Sequence, residues 1–383
     1  MVSCLMSALS VQYVIHDYKE INSLARYAGA LLNQLQTATD VDMRVAVVKD
    51  VPLPTTLLAP LKGVGVDVAA FFRTYPFFWP HVEGELIHLT HRSQTTLLTR
   101  KPSIPVVVTV HDIIHYQYRD DPEMHIYRHG PHRWIDAIAI QAMRRADALI
   151  ASSEYTRQAL IDIVKVPADR VHRVYLGVDT ARFRPVSVPP QFYQRYRLDP
   201  QARYVLHVST EEPRKDVPSL IRAFALLRRD FPDVKLIKAG TPLYPRDQLL
   251  ELIRQLKLED AVIFVDRVSD EDLVALYNIA RLSVMPSLAE GFGFPVLESM
   301  ACGTPVVSST GGSLAEIGGE AALTFAPRDV DAMADAMASL LRDDALRAAK
   351  RQLGLAHAAQ FTWANTAAQT LQIYRTVSRK VYA

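Results

Sequence analysis

Between Leu282 and Ser309 the chain reads as strand, glycine loop, helix and strand, with two carboxylates placed across the loop-to-helix junction. The apolar run Leu282–Met285 is followed by Ser287-Leu-Ala-Glu290-Gly-Phe-Gly-Phe-Pro-Val-Leu-Glu298-Ser-Met-Ala-Cys-Gly303-Thr-Pro305 and then by Val306-Val-Ser-Ser309. In one continuous helix Glu290 and Glu298 would stand about 12 Å apart along the axis and about 80° out of phase, too far to share a small ligand. Pro295 places the helix start near itself, because proline fits the first turn, where its missing N–H is an orphan in any case. Gly303 with Thr304-Pro305 is the stop signal, and Val306-Val307-Ser308 is the next buried strand. Glu290 therefore belongs to the loop, where the chain can fold back toward Glu298. Gly291 and Gly293 open that backbone to close approach, and the helix start presents free N–H groups and partial positive charge suited to a phosphate.

A second constellation lies upstream. Tyr204-Val-Leu-His-Val208 has strand character and leads into Ser209-Thr-Glu-Glu-Pro-Arg214-Lys215-Asp216. Leu220, Ile221, Phe224 and Leu227 then share one helical face, with Asp216 as cap and Pro218 in the first turn. Arg214 and Lys215 thus sit at a strand-to-helix junction. A guanidinium holds phosphate oxygens bidentately and an ammonium adds a mobile point charge, so the pair is equipped to neutralise a diphosphate. Such a pair in isolation is most often solvated surface; its placement relative to the downstream carboxylates gives it weight.

The first half offers one further candidate. Val106-Val-Val-Thr-Val110 is a β-branched run that fits a buried parallel strand, and His111-Asp112 follows at its carboxyl end, where open α/β sheets bind ligands. A single histidine is more often structural than functional. Asp112 is expected to fix the turn or orient His111, and His115 is a weaker candidate.

The stretch from Ser287 to Ser309 resembles the Glu, seven residues, Glu motif of retaining glycosyltransferases of family 4, which have the GT-B fold. Glu212-Pro-Arg-Lys215 resembles the family's Glu-Pro-Arg-Lys-Asn element, and Val106–His115 its strand followed by His-Asp. The resemblance implies an α/β chain of two Rossmann-like doubly wound domains facing an interdomain cleft. It implies a hexosyltransferase, retaining and metal-independent, that moves a hexose from a nucleotide-diphosphate sugar to a hydroxyl acceptor in polysaccharide or glycoconjugate synthesis. His111, Arg214, Lys215 and Glu290 are the implied catalytic residues, with Glu290 on the sugar hydroxyls. Gly291, Phe292, Gly293, Phe294, Pro295 and Glu298 are the implied donor-binding residues, with Glu298 on the ribose. No cofactor is implied. The donor is GDP-mannose or a UDP-hexose, and Pro-Arg-Lys tilts the choice toward GDP-mannose by family association. The implied acceptor is a carbohydrate or lipid-linked acceptor. The chain departs from the family pattern at Ser209 and Asp266, where glycine is usual, at Asp216, where asparagine is commoner, and at Ile21-Asn22-Ser23, where many members carry a glycine-rich loop. Two other classes compete: a noncatalytic nucleotide-sugar-binding module on the same fold, and an oxidoreductase, which lacks its dinucleotide fingerprint here.

Length and composition agree with this reading. A chain of 383 residues exceeds what one core usually supports. The expected division is residues 1–182 for the acceptor side, 183–200 for a linker, 201–364 for the nucleotide-sugar domain and 365–383 for a helix returning to the first domain. Forty-three basic against 41 acidic side chains give a formal charge of +2, which argues against nucleic acid as partner. Cys4 and Cys302 make no disulfide framework, and neither a secretory signal nor a membrane-spanning run is evident. The expected location is cytoplasmic, with peripheral contact at the inner membrane face left open. His125, His129 and His132 lack the spacing of a metal site, so no metal is expected there.

Overall fold

The computed structural model describes residues 8–16, 23–48, 74–124, 130–242 and 246–382. Contacts divide the chain into two compact units: Met1–Arg119 with Tyr127–Gly177 and Trp363–Ala383, and Asp120–Ile126 with Val178–Thr362.

The first unit is built on six parallel strands, β1 (Leu9–His16), β2 (Val41–Val48), β3 (Leu86–Leu89), β4 (Val106–Val110), β5 (Ala148–Ala151) and β6 (Val171–Arg173), in the order β2-β1-β3-β4-β5-β6. Every residue of β3, β4 and β5 is buried, which explains their continuous apolar sequence: helices cover both faces of a parallel sheet. Helix Ser23–Leu35 buries Tyr27, Leu31 and Leu35, and it packs against the C-terminal helix Trp363–Tyr382. That last helix is tied to the sheet by the Tyr374 hydroxyl, 2.6 Å from His88 Nδ1.

The second unit carries β7 (Arg203–Val208), β8 (Val234–Ala239), β9 (Val262–Val265), β10 (Ala280–Met285), β11 (Val306–Ser309) and β12 (Leu323–Phe325) in the order β12-β11-β10-β7-β8-β9, all parallel. The chain winds outward from β7 in one direction and from β10 in the other. The reversal lies between β7 and β10, and the loops leaving the carboxyl ends of these two neighbours diverge there, which leaves a crevice where doubly wound sheets take ligands. Both loops carry charged sequence motifs: Ser209–Asp216 after β7 and Pro286–Gly293 after β10.

Residues 183–200 contain a helix of their own, Pro190–Tyr196, with Phe192 buried. They lie within the second unit, where Arg195 Nη1 and the Tyr196 hydroxyl both reach Asp272 Oδ2 at 2.8 Å. Among the described residues no helix is long and apolar enough to cross a membrane.

Candidate active site

Helix Phe294–Ala301 starts one residue before Pro295, capped by Gly293 in the left-handed region at φ 96°. A Cβ at Gly293 would also press on the Leu314 side chain, but it is the left-handed conformation that calls for glycine there. The helix buries Val296, Leu297 and Met300 and ends at Cys302, itself buried, before Gly303 at φ 75°. Glu298 sits on the second turn and is 6% exposed; its Oε2 accepts from the Tyr277 hydroxyl at 3.0 Å.

Glu290 stays in the loop, 7% exposed, and its carboxylate is the hub of the crevice. Oε1 accepts from Lys215 Nζ at 2.5 Å and from the Ser287 hydroxyl at 2.7 Å, while Oε2 accepts from Arg214 Nη1 at 2.7 Å. Arg214 also donates through Nε to Glu212 at 2.7 Å and through Nη1 to the Ala289 carbonyl at 3.2 Å. The two loops are joined by backbone as well, Leu288 N donating to Arg214 O at 2.7 Å. Burial alone would raise the Glu290 carboxyl, but Lys215 and Arg214 outweigh it and hold the group at about 2. Lys215 is pushed down by burial and by Arg214, with Glu290 opposing.

Sequence reasoning missed the frame behind Glu290. Gly311 and Gly312, in the loop after β11, lie against the backbone of Ser287, Leu288 and Glu290 so closely that a Cβ at either would overlap it. Ser313 completes the contact, its N–H and hydroxyl both donating to the Glu290 carbonyl at 3.0 Å. The signal was present as a Gly-Gly-Ser run after the next strand. Ser287 and Glu212 flank the charged motifs and were legible as neighbours, though not as partners.

Asp216 holds the cap position of helix Val217–Asp230, but at φ 47° and without a side-chain cap bond, a correction to the simple cap expected for it. Its Oδ2 is buried without a hydrogen-bond partner. Burial raises this carboxyl against the opposing pull of Ser219.

In the first unit, His111 leaves β4 as expected. Its carbonyl accepts from the Ser152 hydroxyl at 2.7 Å and from the Thr156 hydroxyl at 3.1 Å, and its ring meets Tyr27 edge-on at 4.5 Å and stacks near His91 at 6.2 Å. Nε2 is buried without a partner among the described residues. Burial lowers the imidazole to about 4, with Asp112 and the Thr90 backbone opposing, so His111 is neutral at physiological pH. Asp112 fixes the turn, its Oδ1 accepting from Ile114 N at 3.2 Å. Ser153 caps helix Glu154–Asp162 and Asp179 takes two backbone N–H groups, so both serve local turns. Of the three interrupted histidines, His125 and His129 lie outside the described residues, as do Ile21 and Asn22 of the atypical first loop. Among the described residues no group of three or more His, Cys, Asp or Glu side chains is arranged to hold a metal ion.

Residues 190–354 match the family model described as Glycosyl transferases group 1, and residues 40–182 match that of Glycosyltransferase Family 4. The MMP alpha-(1->4)-mannosyltransferase of Mycolicibacterium hassiacum is 33% identical over 294 residues, covering 74% of this chain and 68% of the relative. The chain belongs to the group 1 glycosyltransferases. This group 1 glycosyltransferase is also 36% identical to the O-antigen chain mannosyltransferase B of Escherichia coli over 249 residues, 63% of the chain and 64% of the relative. With the serotype-specific mannosyltransferase WbdA of Escherichia coli it shares 33% identity over 230 residues, only 28% of that protein. The match thus spans less than two thirds of either of these two relatives. Among solved structures, a sucrose-phosphate synthase from Thermosynechococcus elongatus aligns over 96% of the chain and 99% of its own with TM-score 0.73 at 22% identity. Anabaena HepE in complex with UDP and glucose aligns over 96% and 99% with TM-score 0.68 at 20% identity. These place the α/β architecture of this group 1 glycosyltransferase in the GT-B class.

Proposed function

We propose that the chain is a retaining hexosyltransferase that needs no metal, taking a hexose from a nucleotide-diphosphate sugar, GDP-mannose foremost, to a hydroxyl of a carbohydrate or lipid-linked acceptor. The observation that carries this reading is the convergence of Arg214 and Lys215 on Glu290 beside the start of helix Phe294–Ala301, which carries no side-chain cap. Such a crevice offers the two things a glycosyl donor needs: fixed cations for a leaving diphosphate and a carboxylate for sugar hydroxyls. In transfer, the bond from the anomeric carbon to the phosphate oxygen breaks. The acceptor oxygen bonds to the same face of that carbon, and the acceptor proton leaves on the departing phosphate. Arg214, Lys215 and the backbone N–H groups between Gly291 and Phe294 take up the charge that accumulates, the task a divalent cation performs in many phosphate enzymes. Glu298 is assigned to the ribose and His111, neutral and with a free Nε2, to the donor sugar. The mannosyltransferases among the relatives support the choice of mannose, and the O-antigen chain mannosyltransferase B among them supports polysaccharide assembly.

The test is a thermal-shift screen with GDP, UDP and ADP, followed by donor hydrolysis and transfer in the presence and absence of EDTA. GDP is expected to give the largest shift, EDTA no effect, and the product an anomeric configuration equal to that of the donor. Inversion, or dependence on a divalent ion, overturns the mechanism; binding of a donor with neither hydrolysis nor transfer across a broad acceptor panel reduces the chain to a binding module.

A further inference from the structure

Lys238 is fully buried at the carboxyl end of β8, and nothing in the transfer chemistry uses it directly. Its ammonium has three N–H donors and finds three acceptors: the Ser209 carbonyl at 2.7 Å, Glu211 Oε1 at 3.2 Å and the Gly240 carbonyl at 3.4 Å. These acceptors belong to the chain ends leaving β7 and β8, just beyond the last ladder bonds, where carbonyls otherwise go unpaired. The two ends touch: Gly240 has φ 122°, and a Cβ there would overlap the Ser209 carbonyl oxygen. Glu211 in turn accepts from Arg246 Nε at 2.8 Å, and Arg246 reaches Asp266 Oδ1 at 2.7 Å on the loop after β9. One buried cation therefore fastens the start of the loop that ends in Arg214 and Lys215. The residue after Glu211 is Glu212, which holds Arg214 Nε at 2.7 Å and whose carbonyl accepts from Lys215 N at 2.8 Å.

Burying an ammonium is costly, and a well-packed apolar side chain of similar volume commonly serves stability as well or better. We infer that Lys238 is a positioning residue for the phosphate-gripping loop: it fixes Ser209 and Glu211 so that Glu212, Arg214 and Lys215 are held in place before a donor arrives. This rests on the assignment of Arg214 and Lys215 to the leaving diphosphate. Ser209 meets Lys238 through its carbonyl, while its hydroxyl lies 2.6 Å from His207 Nε2.

The test compares Lys238→Met with the wild type in calorimetric titrations of GDP, GMP, UDP and UMP, alongside thermal unfolding. The ratio of monophosphate to diphosphate dissociation constants reads the grip on the terminal phosphate. Lys238→Met is expected to weaken the diphosphate about tenfold or more, the scale of a small misplacement of a binding group, with the monophosphate unchanged and the melting temperature retained. Should Lys238→Met not fold, Glu211→Gln, which keeps the volume and removes the carboxylate that Lys238 holds, is expected to show the same split. A folded variant whose ratio equals that of the wild type, or whose two nucleotides weaken together, overturns the inference. A wild type that prefers neither diphosphate over its monophosphate defeats the leaving-group assignment itself, and this inference with it.

Discussion

Lys215 Nζ lies 2.5 Å from Glu290 Oε1, so the cation assigned to the leaving phosphate is occupied by the carboxylate assigned to the sugar. With Arg214 on the other carboxylate oxygen and Glu212 on Arg214, the cluster carries equal positive and negative charge. A diphosphate must compete with Glu290 for its cations, and the sugar hydroxyls that arrive with it replace those donors on the carboxylate. Glu290→Gln removes the competitor while keeping the shape. Free nucleoside diphosphate is expected to bind several-fold more tightly, whereas transfer, which needs the carboxylate on the sugar, falls by about a hundredfold, the usual cost of losing one preorganised polar contact. Titration with GDP and UDP beside steady-state kinetics separates the two; weaker diphosphate binding would show that Glu290 supports the cations and does not oppose them.

Lys215→Ala takes away the other half of the pair. Glu290 keeps Arg214 and Ser287, so its buried charge is not stranded and the fold should lose little. Turnover is expected to drop by about 10²- to 10³-fold, the range for removing one preorganised charge stabiliser, while the unfolding midpoint moves only slightly. Equal activity in the folded variant would remove Lys215 from the chemistry.

The charged parts of the crevice were legible because each is punctuated by a residue with one physical meaning. Pro295 marks the helix start, Gly303 its end, and the runs Tyr204–Val208 and Val106–Val110 are too apolar to be anything but buried strands. What the sequence did not disclose are contacts between segments distant along the chain. Nothing local in Gly311-Gly312-Ser313 says that it braces Glu290, and nothing in Lys238 says that its ammonium points inward. Lysine in a strand ordinarily reads as a solvent-facing residue. Asp216 marks a helix start, as its sequence context says, but not as a simple cap, because the preceding turn Pro213–Lys215 delivers the chain to it in the left-handed region.

That conformation leads to a stability prediction. Asp216 is a non-glycine residue at φ 47°, with a carboxyl that burial raises and one oxygen left without a partner. A folded-state pKa above the unfolded value means that ionisation works against folding. An asparagine at this position would tolerate the left-handed region at least as well and carry no charge. Asp216→Asn is therefore expected to raise the melting temperature by about 1 to 3 °C at pH 7, under 1 kcal/mol for a unit of this size. The gain should vanish in acid, where Asp216 is already protonated. Differential scanning calorimetry at pH 7 and near pH 3.5 checks it, and an equal gain at both would assign the effect to backbone conformation alone.

Four histidines, His88 and His207 buried and His91 and His111 half-buried, set the acid limit of the fold. Burial lowers His111 to about 4 and His88 to about 3; for His207, burial and then Lys238 lower the ring to about 3, and His91 is pushed down by burial and by His16. Below its ordinary value of 6.5 each imidazole takes a proton in the unfolded chain that the folded chain refuses, so stability is fully present above that pH and is lost as the pH falls toward the folded values. Each such group adds about 1.4 kcal/mol per pH unit to the slope where only the unfolded state is protonated. Glu290, held at about 2, acts in the same direction but lower down, its contribution draining away between about 4.5 and 2. Urea midpoints measured from about pH 7.5 to 4.5 should therefore fall with a slope of several protons, well before the carboxylates titrate. His88→Gln should make that slope shallower, because one of the protons taken up on unfolding is gone. A slope unchanged by this substitution would place the acid sensitivity elsewhere than in these rings.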